Sequence, residues 1–217
     1  MRRTTLIAGV GAAALLATAG AGSAMAATPL NYKVTVVNTT PNDLTPLVVS
    51  VGNKRGYLWR SGRRASPGLA ELARDGGTSQ LEAEADRRRG VRQAFTTNRI
   101  APGGRITFTV RTNNGARRLS WASMLVSTND AFAGQNNSSL PVRRGKAGRA
   151  TINVQAYDAG AERNTESAAH VPALGAHGVG PNERRTVRRH PGIRGNNDVA
   201  ASQDWGKYAA RVIIRPA

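Results

Sequence analysis

The sequence predicts a mainly β fold, an antiparallel β-sandwich of the C2 or spondin type with one or two short helices inserted between its strands. Several segments alternate apolar and polar residues, which is the pattern of a strand with one buried face. Turns rich in glycine and proline separate these segments. Helical spacing occurs in one region only, residues 66–90, which suits an insertion better than a regular alternation of strands and helices.

About seven strands are expected along the chain. The clearest candidates are residues 32–38, 47–51, 105–111, 119–126, 150–156 and 209–215, with a short aromatic segment at 57–59. The segment 119–126 is more continuously apolar than the others, which indicates a buried strand. Residues 159–205 show no clear periodicity, and loops of such length are usually functional or mobile.

Two helices are predicted between the second and third long strands. Ser66-Pro67 supplies an N-cap and a proline at the first helical position, and two glycines nine residues later provide a stop. Ser79 and Glu82 have the spacing of a capping box. The second helix is therefore expected to run through Arg89 and to end at Gly90, with its basic residues in the last turn.

The first 26 residues have the pattern of a secretory signal peptide. Arg2-Arg3 precede an apolar stretch at 6–22, and a small-residue cleavage site follows at 24–26. The mature chain is expected to have a short N-terminal segment, residues 27–31, and one sandwich domain, residues 32–217. A retained membrane anchor is the alternative, and both Sec and twin-arginine export remain open.

The net charge predicts anionic partners. The formal net charge of +18 falls to +16 when the two arginines of the signal peptide are removed. A field of this sign attracts anionic cell-wall polymers, acidic polysaccharides and nucleic acid. Specific nucleic-acid binding is not expected, because no aromatic residues interleave with the basic clusters. The residues predicted to contact polyanions are Arg143, Arg144, Lys146, Arg149, Arg184, Arg185, Arg188 and Arg189. A genomic bias toward arginine codons explains these clusters as well.

Catalytic chemistry finds little support in the sequence. The chain has no cysteine, which excludes disulfides, Cys–zinc sites and thiol nucleophiles. His170, His177 and His190 all lie in the irregular stretch and are expected to be solvated. No nucleophile elbow, zinc-protease motif or phosphate-binding loop is present. We therefore expect no enzyme, and a hydrolase that uses the histidine-bearing loop is the weaker alternative.

Acidic residues are scarce, and one group of them lies at the ends of predicted strands. Asp130 follows the buried strand, and Asp158, Glu162 and Glu166 follow the next one. Carboxylates beside loop carbonyls provide the oxygen ligands that a hard cation such as Ca²⁺ requires. Surface pairing with nearby arginines explains the same carboxylates equally well.

Several motifs, taken in order, resemble the spondin N-terminal domain. They are residues 121–132, residues 157–160 with Asn164 and Glu166, residues 190–193 and residues 210–214; the helical segment 65–79 also fits. This domain is shared by F-spondin and mindin of animal matrix and by secreted bacterial proteins. The resemblance covers about residues 32–216 and implies a β-sandwich related to C2-type modules.

The resemblance also implies a Ca²⁺ site near one end of the sandwich. Asp130 and Asp158 fall on two of the family's acidic positions. A third family carboxylate lies in or just before the strand at 106–110, but residues 101–110 of this chain contain no Asp or Glu. Glu162 or Glu166 would have to replace it.

The sequence thus predicts a secreted, non-enzymatic and monomeric binding or adhesion module. A bound Ca²⁺ would tie the loop at 129–130 to the loop at 157–158, and the arginine-rich loops would hold the protein against anionic polymers of the cell envelope. A structural envelope protein without a metal is the alternative.

Overall fold

The computed structural model describes residues 29–112, 115–176 and 179–217, and within them the chain forms twelve strands and two α-helices. The strands are β1 (Asn31–Asn38), β2 (Val48–Gly52), β3 (Val91–Thr96), β4 (Arg105–Arg111), β5 (Arg118–Met124), β6 (Ala131–Ser139), β7 (Val142–Arg143), β8 (Lys146–Ala147), β9 (Ala150–Val154), β10 (Ala156–Asp158), β11 (Arg188–Arg189) and β12 (Ala210–Pro216). The helices α1 (Pro67–Asp75) and α2 (Ser79–Arg87) lie between β2 and β3. The predicted signal peptide, residues 1–26, and His177 lie outside the described residues.

Two antiparallel sheets form the layers of the sandwich. One sheet has the order β4-β1-β12-β9 and the other β11-β10-β6-β5-β2-β3, while β7 and β8 pair as a separate hairpin. Side chains of both sheets share one buried cluster, with Val34 and Val212 from the first sheet and Val49 and Trp121 from the second. This arrangement confirms the predicted mainly β sandwich.

The two helices cover the outer face of the six-stranded sheet, where Leu69 and Leu81 pack against Phe132 in a second buried cluster. The predicted start and end of α1 are confirmed. The Ser66 hydroxyl accepts a hydrogen bond from the Leu69 amide at 3.3 Å, and Gly76 ends the helix with a φ of 73°. Neither helix in the described part of the chain has the length and apolarity of a membrane span.

The predicted capping box of α2 is wrong. Thr78 is the N-cap residue and makes no capping bond through its side chain. The Glu82 carboxylate instead accepts a hydrogen bond from the Thr96 hydroxyl of β3 at 2.5 Å. The helix ends at Arg87, two residues before the predicted end, because the backbone becomes extended at Arg88.

The segment predicted as one strand, residues 150–156, forms two strands in different sheets, and this change of sheet positions the residues of the candidate site. Residues 150–156 were expected to continue as a single element, but β9 ends at Val154 in the four-stranded sheet. The chain crosses to the other sheet at Gln155, and β10 pairs there with β6. Strand β6 was not predicted, because its glycine, glutamine, asparagine and serine residues interrupt the apolar pattern. Strand β3 and the short strands β7, β8 and β11 were not predicted either.

Candidate functional site

Asp130 and Asp158 lie side by side at one end of the six-stranded sheet. Because β10 runs antiparallel to β6, Asp158 is opposite Ala131, the first residue of β6. The Ala159 amide donates to the Asp130 carbonyl at 3.1 Å and closes the pair. Both aspartates are fully buried, so two carboxylates share a small volume from which water is excluded.

Only one of the two oxygens of the Asp130 carboxylate has hydrogen-bond partners. Its Oδ2 accepts hydrogen bonds from the amides of Ala161 at 2.7 Å and Glu162 at 2.9 Å. Its Oδ1 is buried and has no hydrogen-bond partner. Burial, and then the nearby charge of Asp158, raise the pKa of Asp130 to about 7. A cation at the free oxygen would relieve both effects.

Both carboxylate oxygens of Asp158 accept hydrogen bonds from other groups of the chain. Its Oδ1 accepts from the Gly160 amide at 2.6 Å, and its Oδ2 accepts from Asn164 Nδ2 at 2.8 Å and from Arg188 Nη2 at 2.7 Å. Burial raises the pKa of Asp158, and these hydrogen bonds and the charge of Arg188 offset only part of the rise. Arg188 also binds Glu183 Oε2 at 2.6 Å.

The other two predicted carboxylates hold loops. Glu162 is buried and accepts a hydrogen bond from the Gly180 amide, and burial raises its pKa. Glu166 has a φ of 54° and accepts from the amides of Arg194 at 2.7 Å and Asn196 at 2.9 Å. In residues 29–112, 115–176 and 179–217, no three Asp, Glu, His or Cys side chains form a cluster that could hold a metal ion.

His190 is buried, so the prediction that it is solvated is wrong. Its Nδ1 accepts from the Gly192 amide at 3.0 Å, and its Nε2 lies 3.0 Å from Asn164 Oδ1, which assigns the proton to Nε2. Burial, and then the charge of Arg188, lower its pKa to about 4. Both ring nitrogens are engaged, and Asn164 links the ring to Asp158. His170 is half-buried, with Nδ1 3.3 Å from Thr165 Oγ1.

The family resemblance carried the one sequence signal for His190, the segment 190–193. Composition and spacing alone placed all three histidines in an irregular stretch and so suggested solvent exposure. The packing that buries the ring, including a contact with Trp205 at 5.1 Å between ring centroids, joins residues that no local pattern connects.

The predicted basic residues fall on two surfaces. Those of the first lie on and beside the β7–β8 hairpin and are exposed: Arg143, Arg144, Lys146 and Arg149. Those of the second lie around β11, where Arg184, Arg185 and Arg189 are exposed but Arg188 is half-buried in its pair with Asp158. Arg185 lies 3.6 Å from Glu183.

Comparison with known proteins gives one family match, which covers part of the site. The family model described as Spondin_N matches residues 30–176, which include strands β1 to β10 and both helices. Asp130, Asp158 and Glu162 lie inside this match, and Arg188 and His190 lie beyond its end. No curated protein matches the chain.

Proposed function

Because the chain belongs to the spondin N-terminal domain family, we propose that it is a secreted, non-enzymatic binding module for anionic polymers outside the cell. The distribution of charge carries this proposal. Asp130, Asp158 and Glu162 are buried, whereas the basic residues of both predicted surfaces are exposed, apart from Arg188. The surface is therefore more positive than the net charge alone indicates, and it attracts polyanions.

The buried histidine favours binding over catalysis. Both nitrogens of His190 are occupied by neighbouring groups, and its pKa is lowered to about 4. A general base needs a free nitrogen within reach of a substrate proton. The ring instead holds the loop of Gly192 and, through Asn164, the carboxylate of Asp158.

A Ca²⁺ ion at the end of the sandwich is the second part of the proposal. The unpartnered Oδ1 of Asp130 and the adjacent carboxylate of Asp158 support it, since this cation requires oxygen ligands. Asp130 and Asp158 would hold the ion, and Glu162 is the nearest further carboxylate along the chain. The ion would neutralise two neighbouring carboxylates and tie together the two loops that carry them.

A metal-free structural protein is the second candidate, and Arg188 favours it. Its guanidinium lies 2.7 Å from Asp158 Oδ2 and 2.6 Å from Glu183 Oε2. Burial alone would lower its pKa, but these two acids raise it, so the group stays charged. The chain thus carries its own cation next to Asp158. Calcium-dependent stability separates the two candidates.

Retention on an anionic polymer tests the binding function. We expect the purified mature chain to bind immobilised polyphosphate or polygalacturonate at low salt and to elute as salt rises, because exposed charges are screened beyond about 8 Å at 0.15 M. A neutral dextran resin is the control for the matrix. Retention that is unchanged in 1 M salt, or no retention at low salt, would contradict the proposal.

A further inference from the structure

We propose that six arginines from three distant segments form one track for a linear polymer that bears phosphate or carboxylate groups. The arginine track consists of Arg60, Arg63, Arg64, Arg88, Arg184 and Arg185. This proposal rests on the proposed function and deepens it by naming the surface that binds the polymer. Only Arg184 and Arg185 are among the residues that the sequence predicted to contact polyanions.

Backbone hydrogen bonds bring the segments of the track together. The Gly62 amide donates to the Val187 carbonyl at 2.8 Å, and the Val187 amide donates to the Arg63 carbonyl at 2.8 Å. The Arg185 amide donates to the Gly160 carbonyl at 2.9 Å and fixes the far side of this connection. Residues more than 100 positions apart in the chain therefore lie on one surface.

Two neighbouring depressions follow the track. The first has a volume of about 400 Å³, and its walls include Arg60, Arg63, Arg64 and Arg88. The second, of about 280 Å³, is lined by Arg64, Arg184 and Arg185 among others. Arg64 borders both depressions, so they adjoin at this residue, and no Asp or Glu of the described residues lines either one.

The track ends at Arg185. A third depression of about 430 Å³ also includes this residue, but Glu166 and Glu183 line it as well. These carboxylates would repel an anionic ligand. The track therefore covers the first two depressions, in which arginine occurs without acid, and does not extend into the third.

The first depression brings guanidinium groups together, and no acidic side chain of the described residues pairs with them. Arg60 and Arg88 lie over the same tyrosine ring, with their Cζ atoms 3.8 Å and 4.4 Å from the centroid of Tyr57. Within the described residues, Arg60, Arg63, Arg64, Arg88 and Arg184 make no ion pair. Like charges held near one another repel, and a bound anion removes that repulsion.

The geometry favours a polymer over a small anion and over nucleic acid. Guanidinium forks match the paired oxygens of phosphate and carboxylate groups, and two adjoining depressions suit anions on successive units of one chain. Single-stranded nucleic acid requires aromatic faces on which bases stack. Here two guanidiniums occupy Tyr57, and Trp59 is buried against Phe132 and Tyr157.

Two variants of equal charge change test the track. Arg60→Gln/Arg63→Gln/Arg64→Gln removes three charges from it, and the matched control, Arg143→Gln/Arg144→Gln/Lys146→Gln, removes three from the β7–β8 hairpin. The mature protein is titrated into labelled polyphosphate and, separately, labelled polygalacturonate at several salt concentrations. We expect the track variant to lose at least tenfold in affinity and its salt slope to fall by about 2, while the hairpin variant loses clearly less.

Every other outcome contradicts either the track or the proposed function. Equal losses in both variants, or a larger loss in the hairpin variant, would overturn the track and leave the proposed function intact. No binding by the unchanged protein would remove the proposed function itself. Tighter binding to single-stranded DNA than to either polymer would also overturn the track. The side chains changed in the track variant and in the hairpin variant are exposed, so both variants should melt like the unchanged protein. If the track variant melts at a lower temperature, Arg88→Gln/Arg184→Gln replaces it.

Discussion

Single polar residues, buried or half-buried, organise the end of the sandwich that carries the candidate site. Asp130, Asp158 and Glu166 each accept hydrogen bonds from backbone amides, so each one fixes the course of a loop. His190 does the same for the amide of Gly192. These groups replace regular secondary structure in satisfying the backbone between β10 and β12.

His190 makes the stability of the protein depend on pH. Its pKa falls from 6.5 to about 4 on folding, so the folded state favours the neutral ring. The resulting stability is fully present above pH 6.5 and is lost as the pH falls toward 4, by roughly 3 kcal/mol in all. We expect urea unfolding of the unchanged protein and of His190→Asn at pH 7.5 and 4.5 to show this difference.

The unchanged protein must be compared with His190→Asn, because the neighbouring acids change the stability with pH in the opposite direction. The pKa values of Asp130, Asp158 and Glu162 are raised, so their contributions improve as the pH falls. The difference between the unchanged protein and the variant cancels these terms. An identical pH dependence in both proteins would contradict the assignment to His190.

At the scale of elements, the crossing between the sheets creates the site. Strands β1 and β4 and helix α1 were predictable almost to the residue, because local alternation or capping defines them. The crossing at Gln155 was not predictable, since residues 150–156 alternate without interruption and only the pairing of β10 with β6 divides them. The adjacency of Asp130 and Asp158 therefore follows from tertiary contacts.

The turn after β10 is expected to tolerate no side chain at Gly160. Its φ is 70°, and a Cβ there would lie 2.5 Å from the Arg185 carbonyl oxygen. Gly103 is a matched control, because it has the same φ of 70° with nothing within 4 Å of the Cβ position. We expect Gly103→Ala to cost about 1 kcal/mol in unfolding free energy for the backbone alone.

Gly160→Ala should cost clearly more than Gly103→Ala, because the backbone of the segment that carries Arg184 and Arg185 must also move. Urea unfolding of both variants measures the difference. A second effect is expected in polymer binding, which should weaken for the Gly160 variant alone. Equal unfolding free energies for the two variants would show that the contact with Arg185 does not constrain the fold.

At the scale of the whole molecule, the chain separates its charges. Three of its 13 acids, Asp130, Asp158 and Glu162, are buried at the candidate site, and most arginines remain on the surface. The sequence revealed the clusters at 143–149 and 184–189 because each is local. It could not show that residues 60–64 join the second cluster, since that contact depends on backbone hydrogen bonds to Val187. Nor could it show that Arg188 is engaged with Asp158.

The most direct test is a thermal melt of the mature protein in Ca²⁺, in Mg²⁺ and in chelator. If Asp130 and Asp158 bind Ca²⁺, a concentration 100 times the dissociation constant should add about 2.7 kcal/mol to the free energy of unfolding. The gain should vanish in Asp130→Asn and persist in Asp86→Asn, whose aspartate is exposed. A melting temperature that is the same in Ca²⁺ and in chelator for the unchanged protein would contradict the calcium site and favour the metal-free protein.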